Sequence, residues 1–350
     1  MTLQTIADRV GVSRMTVSNA FSKPDQLSGD LRRRILTAAE ELGYAGPDPA
    51  ARALARGTTS AVGVLLTDSL RAAFTDEVAA MFLGAIADEL APTGFALTLL
   101  SSSERADVVP ARDVPMDGAL VYSCDTESPA VDWLLRRKLP LVFVDQDPVP
   151  GIPSVNIDDR SGARAAAQHL VDLGHRRIGI VTTNLAGPDG VVEGEPDMPI
   201  GHVLRQRMLG WTDALGAAGI RPTIVQQQSS GEEAGRVAGA TLLDQRERPT
   251  AILCFSDATA YGVVRAAEDR GVTIPGDLSL VGFDDNPLAQ RIRPQLTTVR
   301  QDVAAKGRAA AAALTALIER TRDGSAPARA RHVVLPTELV VRASTAPPSR

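Results

Sequence analysis

"GVSRMTVSNAFS", residues 11–22, decides how this chain is read. A glycine turn leads to Ser13, whose side chain can accept a backbone N–H and start a helix. Val17 and Ala20 then fall one helical turn apart. Just upstream, "LQTIADRVG" places Leu3, Ile6, Ala7 and Val10 on one face, with Thr2 as cap and Gly11 as stop. Downstream, "SGDLRRRILTAAEELGY" gives a third helix with Leu31, Ile35, Ala38, Ala39 and Leu42 inward. Two helices crossing steeply need a small side chain where they touch, here Ala7, and a tight turn, here Gly11. The pattern is a helix-turn-helix, whose second helix would lay its N-terminal half in a DNA major groove. Arg14, Met15 and Asn19 face outward on it and are the expected base readers; Ser13, Thr16, Ser18 and Ser22 are expected at phosphates. An ordinary three-helix packing unit would show the same periodicity, so the rest of the chain has to separate the two.

Charge points the same way. Eight lysines and arginines against six acids make residues 1–57 +2, and with −5 over the whole chain the remainder carries −7. A mildly basic head on an acidic body meets a polyanion at one end only. The N-terminus "MTLQTIADRV" has no apolar run of a signal peptide, and no uncharged apolar stretch reaches the ~20 residues that span a bilayer. A cytoplasmic protein without membrane contact is expected. Cys124 and Cys254 lie in apolar runs and read as buried thiols, not as a disulfide framework.

With 350 residues and 44% hydrophobic content, the chain can hold a small head and a large core-forming body. From residue 61, apolar runs such as "AVGVLLT", "GALVY" and "PLVFVD" alternate with helical stretches, and a second set ("RIGIV", "AILCF", "LSLVGF") follows "SVNIDD". Continuous apolar strands between helices mean parallel sheets covered on both faces, here in two Rossmann-like lobes with ligand binding where strand C-termini face each other. The loop 184–202, rich in Gly, Pro and acids, exceeds a usual connection and is expected at the mouth of the cleft.

Nothing in the sequence resembles a catalytic constellation. The four histidines lack metal-ligand spacing, and neither a phosphate loop ending in Gly-Lys-Ser/Thr nor a Gly-x-Ser-x-Gly elbow is present. No enzyme activity, metal or cofactor is expected.

Between head and body, "GPDPAARALARGTTS" (46–60) contains "AARALARG", one or two helical turns too short to be stable alone in water. Together with Ile6-Ala7, Val10-Gly11-Val12-Ser13, Thr16-Val17-Ser18 and Gly43-Tyr44, its Ala51-Arg52-Ala53-Leu54 closely resembles the LacI/GalR family of transcriptional regulators, and the resemblance runs to about Arg342. It implies an all-α helix-turn-helix head (1–45), a hinge helix (46–60) and an α/β two-lobed body of the type I periplasmic-binding-protein kind (61–342). Lobe 1 would hold about 61–158 and 302–322, lobe 2 about 159–288 and 330–342, and 343–350 would be a tail. The resemblance also implies that the hinge orders on DNA, with Leu54 wedged into the minor groove beside Arg52. Asn19 stands where many members carry Arg, so their base preference does not carry over. After Val341 no heptads remain, so a coiled-coil tetramer tail is not expected; a homodimer built from the body, reading a pseudo-palindromic operator, is.

At the strand ends the polar residues are Thr67-Asp68, Asp145, Asp158-Asp159, Ser256-Asp257 and Asp284-Asp285. Several read equally as N-caps, and Asp159 and Asp257 stay open between cap and ligand contact. The resemblance implies pocket roles for Arg207, in Arg-x-x-Gly-Trp, for Asp284, in Gly-Phe-Asp, for Asp145 and, as an aromatic platform, for Phe74. A guanidinium and fixed carboxylates suit vicinal hydroxyls, so a small carbohydrate effector held by Asp68, Phe74, Asp145, Arg207, Ser256, Asp257 and Asp284 is expected. The rival readings are a transport-type solute-binding protein of the same body fold and a regulator answering to a nucleoside or purine. The whole chain reads as a sequence-specific repressor controlled by a small molecule.

Overall fold

Three short helices open the chain: α1 (Leu3–Val10), α2 (Arg14–Ser22) and α3 (Gly29–Glu41). The computed structural model to which they belong describes residues 2–46, 48–66, 70–102, 109–123, 128–185, 187–194, 201–325 and 329–349. Thr2 caps α1, and Gly11 ends it in the left-handed region at φ 75°, a conformation that costs glycine little. Ser13 caps α2 by accepting the Thr16 N–H at 3.0 Å. Ile6, Ala7, Val17, Ala20, Ile35, Ala38 and Ala39 form the closed core of the head, and Phe21 meets Tyr44 edge-on at 5.7 Å. The hinge segment holds helix α4 (Pro49–Arg56).

Two compact units result, Met1–Ser60 and Ala61–Arg350. In the second, strands and helices alternate: β1 (Ala61–Leu66), α5 (Ala72–Thr75), α6 (Glu77–Leu90), β2 (Ala96–Ser101), α7 (Pro110–Asp113), β3 (Gly118–Tyr122), α8 (Pro129–Arg136), β4 (Leu141–Val144) and β5 (Ser154–Ile157). Then come α9 (Asp159–Asp172), β6 (Ile178–Thr183), β7 (Gly190–Val191), α10 (His202–Ala217), β8 (Thr223–Gln227), α11 (Glu232–Leu243), β9 (Ala251–Cys254) and α12 (Asp257–Glu268). The chain closes with β10 (Ser279–Asp284), α13 (Pro287–Arg291), β11 (Thr297–Gln301), α14 (Val303–Arg322), β12 (His332–Leu335) and β13 (Thr337–Val340). One sheet has the order β12-β5-β4-β3-β1-β2, the other β13-β11-β10-β9-β6-β8-β7. Their central strands pair in parallel, and apolar clusters cover both faces of each, which is why these strands read as unbroken apolar runs.

The chain passes between lobes three times: after Ile157, after Gln301 and at Pro336. The first and third crossovers are tied together, with Asp158 N donating to Leu335 O at 2.9 Å and Thr337 Oγ1 donating to Asp158 O at 2.8 Å. Because β5 and β11 both end at a crossover, the C-terminal ends of the parallel strands of the two sheets face each other across the cleft.

Three boundaries depart from expectation. Residues 332–335, assigned to lobe 2, instead pair in parallel with β5 in the first sheet, since the chain makes its last crossing only at Pro336. The second sheet extends past 288 to include β11. Residues 343–349 are no loose tail: Ser344 is buried, its Oγ donates to Leu280 O at 2.6 Å and accepts from Thr297 N at 2.8 Å. Part of the 184–202 loop forms β7, an antiparallel edge on β8; its residues 186 and 195–200, like Cys124, lie outside the described residues. Cys254 is buried. No helix among the described residues is long and apolar enough to cross a membrane.

Candidate functional site

The outward face of α2 carries the predicted readers. Arg14 is exposed and makes no ion pair among the described residues, and Met15 is 69% exposed. Such an apolar side chain set in solvent beside a free guanidinium suits a base edge better than a protein core. Asn19 is partly occupied, its Nδ2 donating to Gln26 Oε1 at 3.1 Å. Ser13 Oγ serves as the helix cap and lies 2.8 Å from Thr16 Oγ1. Ser22 Oγ donates to Ser18 O at 2.8 Å, so three of the four hydroxyls expected at phosphates already have local bonds. Arg32 Nε donates to Ala20 O at 3.3 Å, holding α3 against α2. On α4, Arg52 is exposed and Leu54 is 87% exposed, belonging to no core cluster.

The cleft is organised around Arg207, 4% exposed. Its Nε donates to Asp159 Oδ1 at 2.8 Å, one NH to Phe255 O at 2.5 Å and the other to Asp284 Oδ1 at 3.4 Å. The guanidinium also lies 3.6 Å from the Phe283 ring centroid and 4.8 Å from that of Phe255. Gly210 makes this possible one turn along α10: a Cβ there would sit 2.3 Å from Arg160 O, so any larger residue would push α10 off α9 and Arg207 away from Asp159. The network continues through Gln301, whose Nε2 donates to Asp284 Oδ1 at 2.7 Å and whose Oε1 accepts from Lys306 Nζ at 3.0 Å. Lys306 Nζ also donates to Asp145 Oδ2 at 2.5 Å. Asp145, Gln301, Lys306, Asp284, Arg207 and Asp159 thus form one chain of bonds from lobe 1 to lobe 2. At the rim, His202 Nδ1 lies 2.8 Å from Asp147 Oδ1, and Arg205 pairs with the same carboxylate, joining α10 to the segment after β4.

Burial sets the electrostatics. It pushes the Asp284 carboxyl up to about 7, against the pull of Arg207 and Gln301. It also raises Asp159, opposed by Arg207. Burial works against the charge on Arg207, but Asp159 and Asp284 outweigh it and hold the guanidinium above its ordinary value. Asp145 and Asp284 end their strands with φ of 55° and 117°, left-handed conformations that non-glycine residues adopt at a cost and that gather at functional sites.

Arg207, Asp284 and Asp145 are therefore brought together in one network, and Asp257, Ser256 and Phe74 stand outside it. Asp257 is fully buried, with Oδ2 accepting Asn286 N at 3.0 Å and Oδ1 accepting Thr298 Oγ1 at 2.5 Å. Burial pushes its carboxyl well above the usual range, and its two oxygens tie α12 to the segment after β10 and to β11. Ser256 caps α12, accepting Thr259 N at 3.1 Å. Phe74, on the short α5, is 72% exposed, so it is not part of the buried network. Asp68 and Thr67 lie outside the described residues. Asp158, which accepts Ser161 N at 3.1 Å, is the cap of α9 and leaves Asp159 for Arg207. Lys306 and Gln301 are the members that the sequence reading missed. The signal was there: Lys306 sits in the buried stripe of α14 with Val303, Gly307, Ala310 and Leu314, where an unpaired charge would be untenable.

A helix-turn-helix head with an open reading face, and a two-lobed body whose strand ends meet over a buried polar network, define a DNA-binding transcriptional regulator. The chain belongs to the LacI family. Residues 2–46 match the bacterial regulatory proteins of the lacI family, and residues 167–345 match the periplasmic binding protein-like domain. An HTH-type transcriptional regulator of Mycobacterium tuberculosis is 37% identical over 99% of this chain and 98% of its own. A solved LacI-family regulator from Corynebacterium glutamicum is 34% identical, with 99% and 98% of the two chains covered and a TM-score of 0.71. The regulator CelR, solved as its cellobiose complex, is 26% identical, with 98% and 99% covered and a TM-score of 0.68. These relatives are transcriptional regulators, and this chain is a regulator and no enzyme.

Proposed function

We propose that the chain is a repressor that binds a pseudo-palindromic operator as a homodimer and is released or held by a small carbohydrate between its lobes. The observation that carries this is the buried chain of bonds from Asp145 to Asp159. It spans both lobes, so a ligand that replaces any of its bonds favours one lobe angle over another, and differential affinity of this kind is the source of coupling. A carbohydrate fits because its hydroxyls donate and accept in turn, as the carboxylates and the guanidinium here require. CelR, with cellobiose bound, supports this class. A purine is disfavoured: the ring faces of Phe283 and Phe255 nearest the network already carry Arg207.

In the head, α2 enters the major groove, with Arg14, Met15 and Asn19 reading bases and Ser13, Thr16, Ser18 and Ser22 at the backbone. Leu54 and Arg52 of α4 reach the minor groove at the operator centre. A leucine so exposed on an eight-residue helix is stabilised by insertion between base pairs, not by protein. Two copies related by a two-fold axis present two such heads, one per half-site. Selection of bound DNA from a random pool tests this reading. Enrichment of a two-fold symmetric site is expected; enrichment of an asymmetric site, or of none, would overturn it.

A further inference from the structure

We propose that the cleft is built for an uncharged ligand rich in hydrogen-bond donors, a polyol without phosphate or carboxylate, and that the Lys306–Asp145 pair sets this preference. The proposal rests on the cleft being the effector site.

Two observations carry it independently. The first is how charge is committed. Among the described residues, the network holds two cations, Arg207 and Lys306, against three carboxylates, Asp145, Asp159 and Asp284. Arg207 is engaged by Asp159, Asp284 and Phe255 O, and Lys306 by Asp145 and Gln301. An anionic ligand would find both cations already committed where little water screens charge, and would have to break a pair and strand its partner.

The second is which atoms lack partners. Among the described residues, the buried side-chain polar atoms without a hydrogen bond are Asp145 Oδ1, Gln146 Oε1, Asp159 Oδ2, Thr182 Oγ1, Thr183 Oγ1 and Gln226 Oε1. Every one is an oxygen able to accept, and no side-chain N–H is among them. All lie at or next to the C-terminal ends of β4, β6 and β8 or at the start of α9, the edges that face across the cleft. Buried acceptors without donors are uncommon in folded proteins and call for an explanation. A polyol supplies donors from every hydroxyl, whereas an ionised phosphate or carboxylate brings acceptors to a place already full of them.

Lys306 ties the two observations together. By holding Asp145 Oδ2 it keeps that carboxyl in place with Oδ1 unengaged, and it neutralises the charge that would otherwise repel its neighbours. Lys306 is thus a specificity-determining residue, and Asp145 Oδ1 the first-lobe acceptor for a ligand hydroxyl.

The test is calorimetry and thermal shift on the full chain with neutral pentoses, hexoses, disaccharides and cyclic polyols, each matched with its phosphate ester or sugar acid. At least one neutral compound is expected to bind, about 10-fold or more tighter than its anionic counterpart. Asp145→Asn, which leaves Lys306 without its carboxylate, should shift that ratio toward the anion by about 10-fold. Lys306→Arg keeps the charge and should keep the neutral preference, so it serves if Asp145→Asn does not fold. An anion bound more tightly than its neutral parent, no binding by any neutral compound, or loss of the preference in Lys306→Arg would overturn the proposal. Operator affinity separates it from the reading on which it rests. An anion that binds best and shifts operator affinity removes the ligand class but keeps the regulator, while a neutral ligand that binds without any such shift does the reverse.

Discussion

In the head, the residues proposed to meet DNA stand in solvent: Met15 and Leu54 are largely exposed, and Arg14 carries no ion pair among the described residues. In the cleft, Arg207, Asp284, Asp145 and Lys306 are almost wholly buried and bonded to one another. The difference follows from what each region waits for. DNA is a large polyanion that brings its own surface, so a reader can stay solvated until it docks. A small ligand supplies few atoms, so the protein must satisfy its buried charges itself and yield only some of them to the ligand.

Breaking the buried side should therefore cost most. Arg207→Ala strands Asp159 and Asp284 and should destabilise the body by about 3–5 kcal/mol in urea unfolding. A loss under about 1 kcal/mol would show that solvent reaches the network. The same network fixes a pH dependence. Asp284 has its carboxyl raised from 3.8 to about 7, so the folded chain holds a proton that the unfolded chain gives up. Its contribution is full below pH ~4 and is lost as pH rises through about 7. Asp284→Asn cannot lose that proton, so wild type should compare better with the variant at pH 5 than at pH 8. A difference independent of pH would place Asp284 in solvent.

On the exposed side the effects should fall on DNA and spare the fold. Leu54→Ala should weaken operator binding by a few kcal/mol, the scale of an unstacked base step, with the melting temperature of the body unmoved. Unfolding of the body would instead put Leu54 in a core. Arg14→Ala should cost about 1–3 kcal/mol on the selected site and alter base preference; equal weakening on random DNA would mean a phosphate contact. Ser13→Ala, which removes the α2 cap, should lower the stability of the head by about 1 kcal/mol, read from exchange of the Thr16 amide.

The same contrast governs what could be read in the sequence. The head was legible to the residue, because caps at Thr2 and Ser13, the Gly11 stop and the spacing of Ile6, Val17 and Ile35 are local signals. The parallel sheets were legible as apolar runs. Asp257 stayed open in the sequence because an aspartate at a helix start looks the same whether it faces a cleft or, as here, holds Thr298 and Asn286. Lys306 carried a local signal, a charge in the buried stripe of α14, but its partner Asp145 lies 161 residues away across two crossovers, so the pair could not be named. Gln301, an amide at a strand end, carries no such signal although its partners Asp284 and Lys306 are near in sequence. The docking of Ser344 was hidden likewise, since its partners Leu280 and Thr297 are strand backbone.

The most direct measurement is operator affinity, with and without a ligand that raises the melting temperature of the body, for wild type and for Arg207→Ala. Wild type is expected to change its affinity at least about 10-fold, a coupling of about 1.4 kcal/mol. In Arg207→Ala the ratio of the two affinities should fall to one. A ratio as large in the variant as in wild type would place the effector elsewhere and contradict the assignment of the cleft.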